Sequence, residues 1–398
     1  MNGPRDNLKL IRLLADPGWA YGREIILSAA MYGHQHRNWT LYVERDFDPL
    51  PPLRGEVDGA IVQTTSLTLA RRLAALDLPV VNISGRVANV PLPSVLPDDH
   101  AAGRLAAEHL LERGFTHFGY AAVPGHAYSD RRLAGFATAA GEAGFDVTTY
   151  GLSPEEHVDK KGNRGKKGKT DSGEKASKER RREHWLAEQP KPLGLMACND
   201  NRARQFVNAC QRIGLRVPED VVLVGVDNDP LQCQTAGLPL SSVDLNCAKI
   251  GYEAARLLDS LFAGEAPPQE PLLIAPAGVV SRRSSDAMAI QDPDVLKAMQ
   301  FIRDHATEPI GVEHVLAQVP LSRRALELRF RQAMGRGVHA HIRRMRIRHA
   351  QRLLIESDLA VGRIAELCGF TEPYYFSIAF RRETGMTPRA YRQQQRCG

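Results

Sequence analysis

Short apolar runs alternate with amphipathic stretches through most of the chain. The runs at 8–14, 59–62, 79–83, 117–121, 193–197 and 221–226 have strand length and little internal polarity, which predicts strands buried on both faces. Between them, 23–32, 67–76, 101–113, 131–143, 203–213 and 248–262 carry apolar residues at helical spacing. Alternating β and α elements predict parallel sheets with helices on both faces. The pattern runs to about residue 276, too long for one comfortable sheet of this kind, so an α/β fold of two lobes is expected. In such sheets a ligand sits beyond the carboxyl ends of the strands.

Beyond residue 286 the texture becomes all-α. Val312, Val315, Leu316 and Val319 fall at i, i+3, i+4 and i+7, and Leu326, Phe330 and Met334 mark a second helix with Ser322 as its N-cap. The pattern then recurs. Val361, Ile364, Ala365 and Cys368 follow the first set by 49 residues, while Phe376, Phe380 and Gly385 follow Leu326, Phe330 and Gly335 by 50. A duplicated helix-turn-helix is the reading, with Thr371 placed to cap the second copy. A long helix at 339–356 separates the copies and bears Arg343, Arg344, Arg346, Arg348 and Arg352. The expected domains are therefore 1–285 and 286–398, joined by a polar, flexible stretch at 282–294.

Charge changes this picture. Residues 291–398 hold 18 Lys+Arg against 11 Asp+Glu, a net of +7, whereas 1–290 hold 34 against 35. A basic helical tail on an acidic body suits a polyanion partner, because neutralising phosphates drives such binding. The segment 157–182 is also basic, with 11 Lys+Arg against 4 Asp+Glu and almost no large apolar residue. Such composition predicts a disordered insert. No window approaches the ~20 apolar residues of a membrane helix, and no apolar run follows the N-terminus as in a signal peptide, so a cytoplasmic chain without a membrane partner is expected. Six scattered cysteines form no CxxC pair, which argues against a zinc module or a disulfide framework.

The candidate chemistry lies at the predicted strand ends. One strand ends in Asn82, another in Asn199-Asp200, a third in Asp227-Asn228-Asp229, and the early loop 15–23 adds aromatic rings and Arg23. Carboxylates, amides and a guanidinium beside aromatic faces suit a polyol, whose hydroxyls need donors and acceptors and whose C–H faces pack on rings. Asp200 and Asp227 are each equally placed to cap the helix that follows. The chain has no GxSxG elbow, no HExxH and no GxGxxG after a strand. A non-enzyme is expected, with no catalytic residue, cofactor or metal.

The run from Asp98 to Phe115, then Ser129 to Phe136, Asn199-Asp200 and Val217 to Asn228, resembles the effector domain of LacI/GalR regulators, itself related to periplasmic sugar-binding proteins. That resemblance covers roughly 8–280. It implies sugar contacts at Asn82, Arg132, Asp200 and Asp227, with Tyr21 and Tyr128 as stacking candidates. LacI-type chains carry their DNA-binding helices first; here a strand is predicted from Leu8.

The reader must therefore lie elsewhere, or be absent as in a periplasmic carrier, against which the missing signal peptide argues; the tail is the candidate. With Leu326 and Phe330 buried, the first copy turns Arg323, Arg324, Glu327 and Leu328 outward; the second turns out Pro373, Tyr374, Tyr375 and Ile378. Arginine suits guanine O6/N7, and apolar or aromatic groups suit thymine methyls. Ser322 and Arg323 are also suited to phosphate. Ile364 to Phe370, Tyr375 to Gly385 and Met386 to Arg392 resemble the AraC/XylS DNA-binding domain over about 293–394. Pro373-Tyr374-Tyr375 departs from a polar reading surface, since it offers few hydrogen bonds. A LacI-like effector domain followed by an AraC-like reader resembles the xylose operon regulators. This implies an activator responding to D-xylose or a related monosaccharide, binding double-stranded promoter DNA as a homodimer, with RNA polymerase as a further partner. Two alternatives stay open: the same architecture with a different sugar, and a nucleic-acid binder that needs no ligand.

Overall fold

The six apolar runs are strands in the computed structural model, which describes residues 8–36, 39–44, 57–152, 171–290 and 292–397. The chain divides into two compact units, one of Met1–Ala107 and His117–Asp286, the other of Glu108–Thr116 and Ala287–Gly398.

In the first unit, β1 (Lys9–Leu14), β2 (Trp39–Glu44), β3 (Gly59–Val62) and β4 (Val80–Asn82) make a parallel sheet of order β2-β1-β3-β4. A short parallel pair joins β5 (Val95–Pro97) to β11 (Leu272–Ile274). The larger sheet holds β6 (His117–Ala121), β7 (Val147–Tyr150), β8 (Leu193–Ala197), β9 (Val221–Val226), β10 (Ser241–Asp244) and β12 (Gly278–Val280). Its order is β12-β10-β9-β8-β6-β7, with β12 alone antiparallel. The helices are α1 (Ala20–His36), α2 (Leu67–Ala74), α3 (Asp99–Leu111, of which the residues from Glu108 on fall in the second unit), α4 (Ala127–Glu142), α5 (Asp171–Glu188), α6 (Asp200–Arg212), α7 (Pro230–Gln234) and α8 (Cys247–Phe262).

Sequence reading missed the polar strands. β7 is an edge strand of sequence VTTY, and β10 reads SSVD although Ser241 and Ser242 are fully buried. Their hydroxyls are satisfied internally: Ser241 Oγ donates to the Arg282 carbonyl and Ser242 Oγ to Asp200. A buried hydroxyl with a partner costs little, so a core strand need not read as apolar.

Two other expectations are corrected. The second part of the basic segment, 171–182, belongs to α5 and is helical, while 157–170 lies outside the described residues. The anchors follow the basic run: Leu186 is buried, Trp185 meets Phe206 edge-on at 5.9 Å, and the Arg182 guanidinium lies 5.5 Å from the Phe206 ring. The stretch after β12 is pinned as well. Ser284 and Ser285 are fully buried in a single turn (Arg283–Ser285), and Ser284 Oγ donates to the Leu223 carbonyl at 2.6 Å.

The second unit contains α9 (Pro293–His305), α10 (Val312–Leu316), α11 (Arg323–Met334), α12 (Val338–Glu356), α13 (Val361–Leu367), α14 (Pro373–Thr384) and α15 (Pro388–Cys397). Two cores form. Val315, Leu326 and Phe330 fill the first with Ile302 and Ile342; Ile364, Phe376 and Phe380 fill the second with Ile347 and Leu354. Ile342, Ile347 and Leu354 all come from α12, so one helix serves both. The duplication extends to the caps, because Gly335 (φ +67°) and Gly385 (φ +77°) end α11 and α14 in the left-handed region where a side chain is strained. Ser322 caps α11 as expected, accepting from the Ala325 amide. Thr371 does not cap α14: Glu372 holds that position without a side-chain bond, and Pro373 starts the helix with no amide to satisfy.

Phe380→Ala should destabilise the second core by about 3–5 kcal/mol, the usual cost of emptying a fully buried phenylalanine site. Urea unfolding followed by circular dichroism checks this, and a loss below about 1 kcal/mol would contradict the packing.

Candidate functional site

A cavity of about 270 Å³ opens in the first unit at the carboxyl ends of both sheets. From the smaller sheet come Trp19 and Tyr21 at the start of α1, Gln63, Thr64 and Thr65 after β3, and Ser84, Gly85 and Arg86 after β4. From the larger sheet come His126, Tyr128 and Arg132 around the start of α4, Asn199, Asp200 and Asn201 at α6, and Asp227, Asp229 and Gln232 after β9. Pro97 of β5 completes the wall.

Arg132 is 3% exposed and is the cation around which the others are arranged. Its Nε donates to Asp99 Oδ1 at 2.9 Å and its Nη1 to the Cys198 carbonyl at 2.5 Å. Asp227 Oδ1 lies 3.6 Å from Nη1, and the Tyr128 ring sits 4.8 Å from the guanidinium carbon. Burial alone would lower the Arg132 pKa, but Asp99 and then Asp227 more than offset it, so the charge is held firmly.

Asp227 faces the cavity with a quarter of its side chain exposed. Its backbone lies at φ +104°, a conformation that costs a non-glycine residue on the order of 1–3 kcal/mol and persists where the surroundings impose it. Burial pushes its carboxyl up to about 7; Arg132 pulls it down, and Asp99 and Asp229 raise it again. It is a carboxylate with acceptor capacity to spare, next to a fixed cation. Tyr21 and Tyr128 both line the cavity, and the Tyr21 hydroxyl donates to the Ile83 carbonyl at 2.5 Å.

Two expected sugar contacts have other work. Asn82 is fully buried and is not among the lining residues. Its Oδ1 accepts from Thr64 Oγ1 (2.6 Å) and the Ser84 amide (3.0 Å), and its Nδ2 donates to the Ser84 carbonyl and Ser94 Oγ. It shapes the wall instead of reaching into the cavity. Asp200 lines the cavity, but Oδ1 accepts from Ser242 Oγ at 2.6 Å and Oδ2 from the Asp229 amide at 2.8 Å and from Cys233 Sγ. Burial, followed by the nearby Asp227, raises its carboxyl to about 8. Nor does either carboxylate cap a helix: Asn199 caps α6 and Asp229 caps α7.

Sequence reading passed over Thr65 and, though it flagged the segments that hold Trp19, Asp99 and Asp229, did not single these three out as site residues. Trp19 and Thr65 lie in the flagged loop and just past β3, so their position after a strand was the available signal. Thr65 Oγ1 is buried with no hydrogen-bond partner among the described residues. Asp229 caps α7 through Oδ1 and accepts the Ala20 amide through Oδ2 at 2.9 Å, joining the start of α1 to the β9 side of the cleft.

In the helical unit the outward positions are where periodicity put them. Tyr374, Tyr375, Ile378 and Leu328 are 72%, 66%, 49% and 58% exposed, and Pro373, Ser322, Arg323 and Arg324 are exposed too. Glu327 is half-buried, and Arg323 pairs with Glu313 at 2.6 Å. Most of the arginine row of α12 is engaged within the protein. Arg343 pairs with Glu383; Arg344 and Arg348 pair with Glu108 of the same unit; Arg352 contacts His349. Arg346 donates to the carbonyls of Ala306, Glu308 and Ile310 at 2.6–2.9 Å.

Among the described residues, no helix is long and apolar enough to cross a membrane, no cluster could hold a metal, and Cys198, Cys210, Cys233, Cys247 and Cys368 are buried and free.

Comparison with known proteins agrees with this division. Residues 107–285 match the periplasmic binding protein-like domain and 315–394 a helix-turn-helix domain. The xylose operon regulatory protein of Escherichia coli K12 is 30% identical over 96% of both chains, and that of Haemophilus influenzae 28% identical over 96% of this chain and 97% of its own. A solved structure of the xylose-binding transcription activator XylR covers 98% of each chain at 28% identity, with a TM-score of 0.61. The α/β effector fold with an all-α, twin helix-turn-helix tail is thus the one expected from the sequence.

The raised Asp227 carboxyl has a consequence for stability. Because its folded pKa lies above that of an unfolded aspartate, its contribution is fully favourable below about pH 4 and is lost as pH rises through about 7. Asp227→Asn should therefore raise the melting temperature relative to the parent at pH 8, and the gain should shrink toward pH 5.5. Calorimetry across that range decides it; a gain independent of pH would contradict the assignment.

Proposed function

The chain belongs to the family of xylose operon regulatory proteins, and on that premise we propose that it is a sugar-responsive transcription regulator. Its cleft takes D-xylose or a related monosaccharide, and its helical unit holds double-stranded promoter DNA. The observation that carries the sugar reading is the pairing of a buried guanidinium, anchored by Asp99 and the Cys198 carbonyl, with an accessible carboxylate, Asp227, inside a cavity of about 270 Å³. Asp227 accepts from sugar hydroxyls, and Arg132 donates and holds it in place. Tyr21, Tyr128 and the 43% exposed Trp19 supply ring faces. Thr65 offers the sugar a hydroxyl that otherwise lacks a partner. Asn82 and Asp200 act from behind, by fixing the loops that carry the contacts.

A sugar bonded to residues after both sheets favours the closed cleft, and closure shifts the population of a homodimer toward a DNA-engaging state. Each chain brings two recognition helices, which in this motif address major-groove faces about one helical turn, ~34 Å, apart. Arg324 on α11 suits guanine, while Tyr374, Tyr375 and Ile378 on α14 suit thymine methyls. Ser322 and Arg323 border the phosphates. Activation follows when the engaged dimer meets RNA polymerase. The family consists of regulators, and no catalytic role is assigned to any residue.

Isothermal titration with D-xylose should give saturable heat, and Asp227→Ala should weaken binding about 10–100-fold, the worth of a charge-assisted hydrogen bond lost from a desolvated site. Absence of heat with D-xylose and with a panel of pentoses and hexoses would reject the sugar reading. For DNA, Arg324→Ala should cost about 1–3 kcal/mol at one base position. An equal loss on every sequence in a binding-selection assay would make Arg324 a phosphate contact instead.

A further inference from the structure

The turn that presents Asp227 is wired to the segment by which the chain leaves the first unit. Asp227 and Asn228 both lie at positive φ, +104° and +50°. The Asn228 amide donates to Ser242 Oγ at 2.9 Å, and its side-chain Oδ1 accepts from Arg282 Nη2 at 2.7 Å. The other prong of the same guanidinium, Nη1, donates to the Leu240 carbonyl at 2.8 Å. The backbone of Arg282 is gripped by Ser241, whose Oγ accepts its amide at 2.7 Å and donates to its carbonyl at 2.9 Å. Immediately after it, Ser284 and Ser285 are locked to Leu223, Ser241 and Pro239, and at residue 287 the helical unit begins. Asn228 does not line the cavity.

We propose that Arg282 is a positioning residue that reports occupancy of the Asp227 turn to residues 283–286, and so sets how strongly a bound sugar alters DNA binding; this rests on the sugar reading above. The physical case is that a turn held in a strained conformation has few alternatives, so a ligand that bonds Asp227 biases the Asp227–Asn228 peptide as a unit. A two-pronged guanidinium fixed at Leu240 transmits that displacement, whereas a single flexible contact would absorb it. The buried hydroxyls of Ser241, Ser284 and Ser285 allow discrete hydrogen-bond exchanges in place of a continuous slide, because an unpaired buried group is costly.

The test uses the full chain, D-xylose, and a duplex selected by that chain from a random-sequence pool. In the parent, D-xylose should change duplex affinity by about 5–150-fold, the usual range for coupled sites. Arg282→Ala and Asn228→Gly, the latter tolerant of φ +50° and therefore foldable if the former is not, should each bind D-xylose within about fivefold of the parent and bring the sugar effect on DNA to within about twofold of none. The double variant should lose no more than either single one, as expected for two ends of one contact. Arg282→Lys keeps the charge without the two-pronged reach and should lie between. A folded Asn228→Gly or Arg282→Ala chain with the parental sugar effect would overturn the proposal and leave the sugar reading standing. A parent chain with no heat from D-xylose or from any pentose or hexose of the panel would overturn both.

Discussion

Arg132 places a full positive charge where water scarcely reaches, and the cleft is arranged around neutralising it. A buried cation is tolerated only with close partners and satisfied N–H groups. Here the partners come from four separate places: Asp99 at the start of α3, the Cys198 carbonyl at the end of β8, Asp227 after β9 and the ring of Tyr128. Holding one side chain therefore brings the ends of several elements to a common point. That point is the cavity wall.

The two aspartates beside it show how environment divides labour between like groups. Asp200 is satisfied on both oxygens by the protein, while Asp227 keeps capacity toward the cavity. Burial pushes both carboxyls up, and Asp227 carries backbone strain besides. Backbone strain of this kind commonly persists at sites of molecular recognition.

In the helical unit the decisive constraint is that α12 belongs to two cores at once. Arg346 reinforces it by satisfying three carbonyls of the connection between α9 and α10. Four of the five arginines along α12 already have carboxylate or carbonyl partners, so a count of basic residues overstates how many are free for phosphate. What remains outward differs between the copies, arginine on one and tyrosine on the other, so the two exposed helix faces differ in chemistry.

Periodicity by itself determined the strands that read as apolar runs, the repeat of Val315, Leu326, Phe330 and Gly335 in Ile364, Phe376, Phe380 and Gly385, and the outward faces of α11 and α14. These are local properties, set by residues within a few turns of one another. Strands rich in hydroxyls, the helical continuation at 171–182 and the pinned turn at 283–285 escaped that reading, because their stabilising partners lie outside the window in which composition is judged. Only the tertiary structure decided which polar residue is free. Asn82, Asp200 and Asp227 look alike at strand ends, yet Asn82 is consumed by Thr64 and Ser94, and Asp200 by Ser242 and the Asp229 amide. Those partners are 12 to 42 residues distant in sequence, and hydrogen-bond capacity is a property of what the fold brings within about 3.2 Å.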